Sequence, residues 1–190
     1  TSILNAINFL FDREEIPPDI LRYVMMYTLD SYSDKGEAFK NGTSQMAMMF
    51  LSNWLNQFAR AKKLPILCQY LSGQRVSVSS NSEIVSALQQ GGVAVVRLFY
   101  DVWHYVTLTG ISGSGAEIFD PYYRKRPFKQ PGIELITDKP FSANRTVSFE
   151  VLNNTGRSLY ALGGLDGREA ILLFNTDTRK TPERTIEYFL

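Results

Sequence analysis

Apolar positions recur every three or four residues through the first third of the chain and every second residue through much of the rest. Ile3, Ile7, Leu10 and Phe11 share one face of a helix that Thr1 or Ser2 can cap. Pro17 and Pro18 punctuate, and Pro18 suits a first helical position. Leu21, Val24, Met25 and Thr28 mark a face of a second helix. Residues 31–42 are polar and contain glycine, so they read as a loop. Thr43 or Ser44 then caps a third helix, with Ala47, Phe50, Leu51, Trp54, Leu55 and Phe58 expected inward.

The period changes after Pro65. Residues 66–71 form a short apolar run suited to a buried strand. Ser82 caps a short helix through Ile84, Val85 and Leu88 that Gly91 and Gly92 stop. Strands are predicted over 93–100, 104–111 and 117–122, and again over 134–137, 146–152, 170–174 and 185–189. Helices first and an antiparallel sheet after them predict an α+β fold, with N-terminal helices packed on a mainly antiparallel β-sheet. At 190 residues the chain suits a single domain. Residues 126–190 match no motif and read as a β extension of that domain.

Composition narrows the chemistry. A net charge of +1 gives no general attraction to nucleic acid or anionic membrane. No apolar run reaches the roughly 18 residues that span a bilayer. One cysteine, Cys68, and one histidine, His104, leave no material for a disulfide framework or an ordinary zinc site. No metal or organic cofactor is expected. A lone cysteine suits a reducing compartment, which favours the cytoplasm while leaving export open. Oligomeric state is not legible. The run Arg124, Lys125 and Arg126 reads as solvated loop charge, with recognition of a substrate carboxylate or phosphate as its alternative. Asn41, Asn144 and Asn153 each begin an N-x-T sequon, meaningful only in a glycosylating route. Met25, Met26, Met46, Met48 and Met49 are expected in the helical core, with a peptide groove as their alternative use.

Nucleophilic catalysis near neutral pH needs a nucleophile, a base and a group that orients the base. His104 is the one conventional base, at the start of its strand, and Asp120 lies sixteen residues later, at the end of the next. A hairpin with the three-residue loop Ser112, Gly113 and Ser114 would pair Ile111 with Gly115 and set His104 opposite Tyr122. Asp120 is then a diagonal neighbour on the same face, about 7–8 Å away. A two- or four-residue loop without a bulge would put the two on opposite faces. Trp103, Tyr105, Tyr122 and Tyr123 flank the pair; Trp103, Tyr105 and Tyr122 are the candidate substrate-binding residues. Cys68 lies in an apolar run with no cationic neighbour, where thiols are inert core fillers. Thr1 as an N-terminal nucleophile is a further alternative, although it begins a helix rather than a strand.

Two separated motifs resemble the C39-like branch of the papain-like cysteine peptidases. Val93-Ala94-Val95-Val96-Arg97, Trp103-His104-Tyr105-Val106, a glycine-containing turn and Ile118-Phe119-Asp120-Pro121 are similar to that family's His and Asp strands. Thr1-Ser2-Ile3-Leu4-Asn5-Ala6-Ile7 is similar to the continuation of its nucleophile motif, Cys-Gly-Pro-Thr/Ala-Ser and an apolar helix. The resemblance covers residues 1–125. It implies a papain-like fold, cleavage of a peptide or amide, and a cysteine three positions before Thr1 with an oxyanion glutamine further upstream. His104 and Asp120 complete the implied triad. The 190 residues by themselves are expected to be inactive in that mechanism. A peptide-binding module without the cysteine and a thiol acyltransferase are the alternative expectations.

Overall fold

The computed structural model describes residues 1–12, 16–38 and 42–177. Three helices come first: α1 (Ser2–Phe11), α2 (Pro18–Thr28) and α3 (Gln45–Lys62). Strand β1 (Ile66–Ser72), helix α4 (Glu83–Gln89), β2 (Val93–Tyr100), β3 (Val102–Ser112) and β4 (Gly115–Phe119) come next. The chain continues through β5 (Ile133–Leu135), β6 (Arg145–Ser148), α5 (Phe149–Asn153) and β7 (Glu169–Asn175). The strands form one seven-stranded sheet in the order β1-β7-β2-β3-β4-β6-β5, antiparallel at every pairing. The α+β class expected from the sequence is what the chain adopts.

Alternation along the strands divides the core in two. Ala94, Val96 and Leu98 of β2, with Val106 and Leu108 of β3, face α4 and Leu152 of α5. Val93 and Val95 face the other way, onto Ile3, Ile7 and Leu10 of α1, Ile20 and Val24 of α2 and Leu51 and Leu55 of α3. The continuous apolar run of β2 is therefore covered on both sides. β7 is too: it lies between β1 and β2, inside the sheet, while β6 and β5 extend the β4 edge. The segment after residue 126 thus supplies an interior strand, β7, as well as β6 and β5 at the edge.

Several local expectations change. Residues 149–152, read as strand, form α5 instead, because the Ser148 hydroxyl accepts from the Val151 N–H and starts a helical turn. Four of the five methionines are exposed: Met25 (49 %), Met26 (55 %), Met46 (74 %) and Met49 (44 %), with Met48 alone buried. The inward stripe of α2 is Ile20 and Val24, one turn apart, which turns residues 21, 25 and 26 outward. Phe50 likewise sits at the side of α3, its ring edge-on to Tyr27 at 4.9 Å. Trp54 and Phe58 stack at 4.9 Å and meet Tyr23, joining α3 to α2.

Two sequons are structural clamps. The Asn153 amide donates to the Val78 carbonyl (2.7 Å) and accepts from the Val78 N–H (3.0 Å). Asn144 is engaged the same way at the candidate site. Asn41 and residues 185–189 lie outside the described residues.

Candidate functional site

The hairpin that carries His104 differs from its expected form and arrives at the expected register. Ser112 pairs with Gly115, so the loop is two residues, Gly113 and Ser114. Gly113 has φ of +56°, which suits the first central position of a tight hairpin turn. Continued without interruption, that register would place His104 and Asp120 on opposite faces. A bulge intervenes: Gly110 pairs with Glu117 but Leu108 pairs with Ile118, leaving Thr109 as the extra residue. The Thr109 hydroxyl leaves the ladder to donate to the Ser142 carbonyl at 2.7 Å. Beyond the bulge, even-numbered residues of β3 and β4 share a face.

Pro121 favours an extended Asp120 and the strand ends one residue earlier, at Phe119. The Asp120 carboxylate then has four neighbours. Oδ1 meets His104 Nε2 at 2.8 Å and accepts from the Tyr122 N–H at 2.7 Å. Oδ2 accepts from the Tyr160 hydroxyl at 2.6 Å, and Arg145 Nε stands 3.6 Å away. Asn144 clamps the Asp120 backbone, accepting from its N–H (2.9 Å) and donating to its carbonyl (2.8 Å). Arg145 donates to Asn144 Oδ1 at 2.6 Å and to the Tyr122 carbonyl.

Burial works to raise the Asp120 pKa, but hydrogen bonds from His104, Tyr160 and the Tyr122 backbone, with the charge of Arg145, hold it below the ordinary 3.8. Tyr160 goes up from its usual 10.0, through burial and then the neighbouring carboxylate, and stays a neutral donor. An ionised Asp120 can only accept, so Nε2 of His104 carries the proton and Nδ1 presents its lone pair. Nδ1 has no hydrogen-bond partner among the described residues, and the side chain keeps 22 % of its surface exposed.

His104 opens on a cavity of about 350 Å³ whose other wall is the first turn of α1, at Thr1, Ser2 and Ile3. Two hydrogen bonds fix that turn to the strand: Ser2 Oγ donates to the Tyr105 carbonyl (2.7 Å) and Thr107 Oγ1 donates to the Ser2 carbonyl (2.9 Å). Trp103 and Tyr105 also line the cavity, but the Tyr105 hydroxyl is committed to Glu169. Tyr122 lies outside the cavity, 61 % exposed and edge-on to the imidazole at 6.4 Å; Tyr123 is exposed. Arg124 stacks 4.3 Å over Phe128 and reaches Tyr100, so it braces the loop after Asp120.

Sequence reasoning missed Asn144, Arg145, Tyr160, Arg97 and Glu169. Tyr160 comes after a turn-rich stretch with no periodicity and takes a positive φ of 62°, which no pattern announces. The signal for Asn144 was present but read as a sequon.

The two buried carboxylates predict opposite pH effects. The folded pKa of Asp120 is depressed, so its contribution to stability is present above 3.8 and lost as pH falls through the folded value. Glu169 is raised above 4.5, mainly by burial, so its contribution is full below 4.5 and lost as pH rises through the folded value. Urea midpoints measured against pH should therefore lose their acid-side fall in Asp120→Asn and their decline above pH 4.5 in Glu169→Gln. An unchanged profile in either variant contradicts the corresponding assignment.

No helix among the described residues is long and apolar enough to cross a membrane, and no group of three or more His, Cys, Asp or Glu is placed to hold a metal ion. Comparisons of the chain with protein-family models, curated proteins and solved structures find no match.

Proposed function

We propose that this chain forms a C39-like, papain-like thiol hydrolase domain acting on a peptide or related amide. The observation that carries the reading is the 2.8 Å contact of His104 Nε2 with Asp120, at a His104 that lines one cavity together with the first turn of α1. A cysteine three residues before Thr1 would stand at that helix end, where the positive dipole and the imidazole favour thiolate. His104 Nδ1 takes the thiol proton, and the thiolate sulfur bonds to the substrate carbonyl carbon. The C–N bond breaks as the imidazolium returns the proton to the departing amine. Water, deprotonated by His104, then displaces the thiol from the acyl group and releases the acid. Asp120 holds the tautomer that makes each transfer possible.

Cys68 does not serve as the nucleophile in this reading. It is buried, and burial pushes its thiol up to about 12. The test is alkylation of the full-length protein, with any residues that precede Thr1, by iodoacetamide at neutral pH. Rapid label is expected on a cysteine just before Thr1, slowed in His104→Ala, with Cys68 labelled only after denaturation. Label confined to Cys68, or no reactive thiol, removes the hydrolase and acyltransferase readings together and leaves a peptide-binding module. Product analysis with an added amine separates hydrolysis from acyl transfer.

A further inference from the structure

The cavity beside His104 carries its own charge signature. None of the residues that line it is Asp or Glu, while the Arg97 guanidinium stands in its wall next to Trp103. Arg97 is on β2 directly across from Tyr105 of β3, on the face that meets α1–α3. Its plane lies 4.3 Å over the Trp103 ring, and Nη1 donates to the Gly167 carbonyl at 3.2 Å. Gly163 is what lets the loop opposite approach this tryptophan: it has φ of +77°, and a Cβ there would stand 2.7 Å from the ring. Stack and hydrogen bond fix the guanidinium while leaving most of its N–H donors without a partner among the described residues.

Three of the hydroxyls in the wall are already engaged. The hydroxyls of Ser2, Thr28 and Thr43 donate to the carbonyls of Tyr105, Val24 and Thr28. Glu169 accepts from Tyr70 and Tyr105 and feels the charge of Arg97, but among the described residues the two form no salt bridge. What the cavity offers an incoming ligand is therefore a held cation in a wall whose lining residues include no Asp or Glu.

We infer that Arg97 is a specificity residue that binds a carboxylate on the ligand, so the favoured substrate is a peptide with an acidic side chain or a free C-terminal carboxylate near the reacting bond. The inference rests on the cavity being the substrate site of the proposed hydrolase, and its experiment reads binding rather than turnover. Calorimetric titration of the full-length protein would use short peptides in matched sets: Glu against Gln, and free C-terminal acid against amide. At least one acid form should bind about tenfold or more tightly than its neutral partner, with the preference weakening in salt. Which set shows it distinguishes a side-chain from a terminal carboxylate.

Arg97→Gln should erase the preference while leaving the neutral peptides' affinity in place; Arg97→Lys should keep part of it. If Arg97→Gln fails to fold by circular dichroism, a weakened preference in Arg97→Lys decides in favour, and an unaltered one against. Equal binding of acid and neutral peptides, equal loss of both on substitution, or no binding of any peptide overturns the inference. A role confined to balancing Glu169 predicts the equal-loss result. Acid preference without cleavage of any peptide keeps the subsite and removes the hydrolase reading.

Discussion

On the proposed thiol-hydrolase reading, replacing His104 with alanine should lower kcat/KM by about 10²–10⁴-fold, the range expected for loss of a positioned general base. The loss should appear mainly in kcat, because the imidazole acts on protons in flight while the cavity walls that hold the substrate stay in place. Stability should change less than in Asp120→Ala: His104 is partly exposed and belongs to neither core, and Asp120 keeps its hydrogen bonds from Tyr160 and the Tyr122 N–H. Asp120→Asn should lower the rate for a different reason. The amide can donate to the ring and so favour the other tautomer, with the proton on Nδ1, where the thiol needs a lone pair. His104→Ala with unchanged turnover would remove the base assignment. A drop in rate matched by a drop in unfolding midpoint would mean that the imidazole is a structural group.

The range of the interactions decides how much of the site could be seen in the sequence. The β2 and β3 strands are local patterns of branched and aromatic residues; β2 forms over the expected 93–100, and β3 covers the expected 104–111 and starts two residues earlier. The meeting of His104 with Asp120 depended on a single residue of register. A three-residue loop would have set it; the chain uses a two-residue loop and a bulge at Thr109, which sum to the same offset. Two short-range errors of opposite sign therefore left the long-range expectation standing. The groups around Asp120 are a separate matter. Asn144 and Tyr160 lie 24 and 40 residues away in sequence, so no spacing rule connects them to it. Only the pairing of β6 with β4 and the return of the chain past Phe99 bring them in. The outward methionines fail for a related reason. An apolar residue two positions off a helix's inward stripe looks the same, by composition, as one within it.

Asp120→Ala should destabilise the fold by roughly 3–5 kcal/mol at neutral pH, more than any change at the cavity's exposed wall. Its side chain is fully buried and Arg145 is 1 % exposed, so the variant strands a buried guanidinium opposite a void. Nε of Arg145 has no hydrogen-bond partner among the described residues, and its compensation is the carboxylate 3.6 Å away. Tyr160 would lose its acceptor in the same step, leaving a second buried polar group unsatisfied. The sign with pH is fixed by the depressed Asp120 pKa: wild type should approach the variant's stability as acid protonates the carboxyl, and the gap should be widest above pH 3.8. Adding Arg145→Met to Asp120→Ala should restore part of the loss, since it removes the uncompensated charge. The restoration is incomplete because Arg145 also donates to Asn144 and to the Tyr122 carbonyl, and both would lose that donor. Urea unfolding of the two single variants and the double variant measures the coupling directly. Strict additivity would mean that the network around Asp120 orients His104 without holding the fold, and that the buried charges are balanced elsewhere.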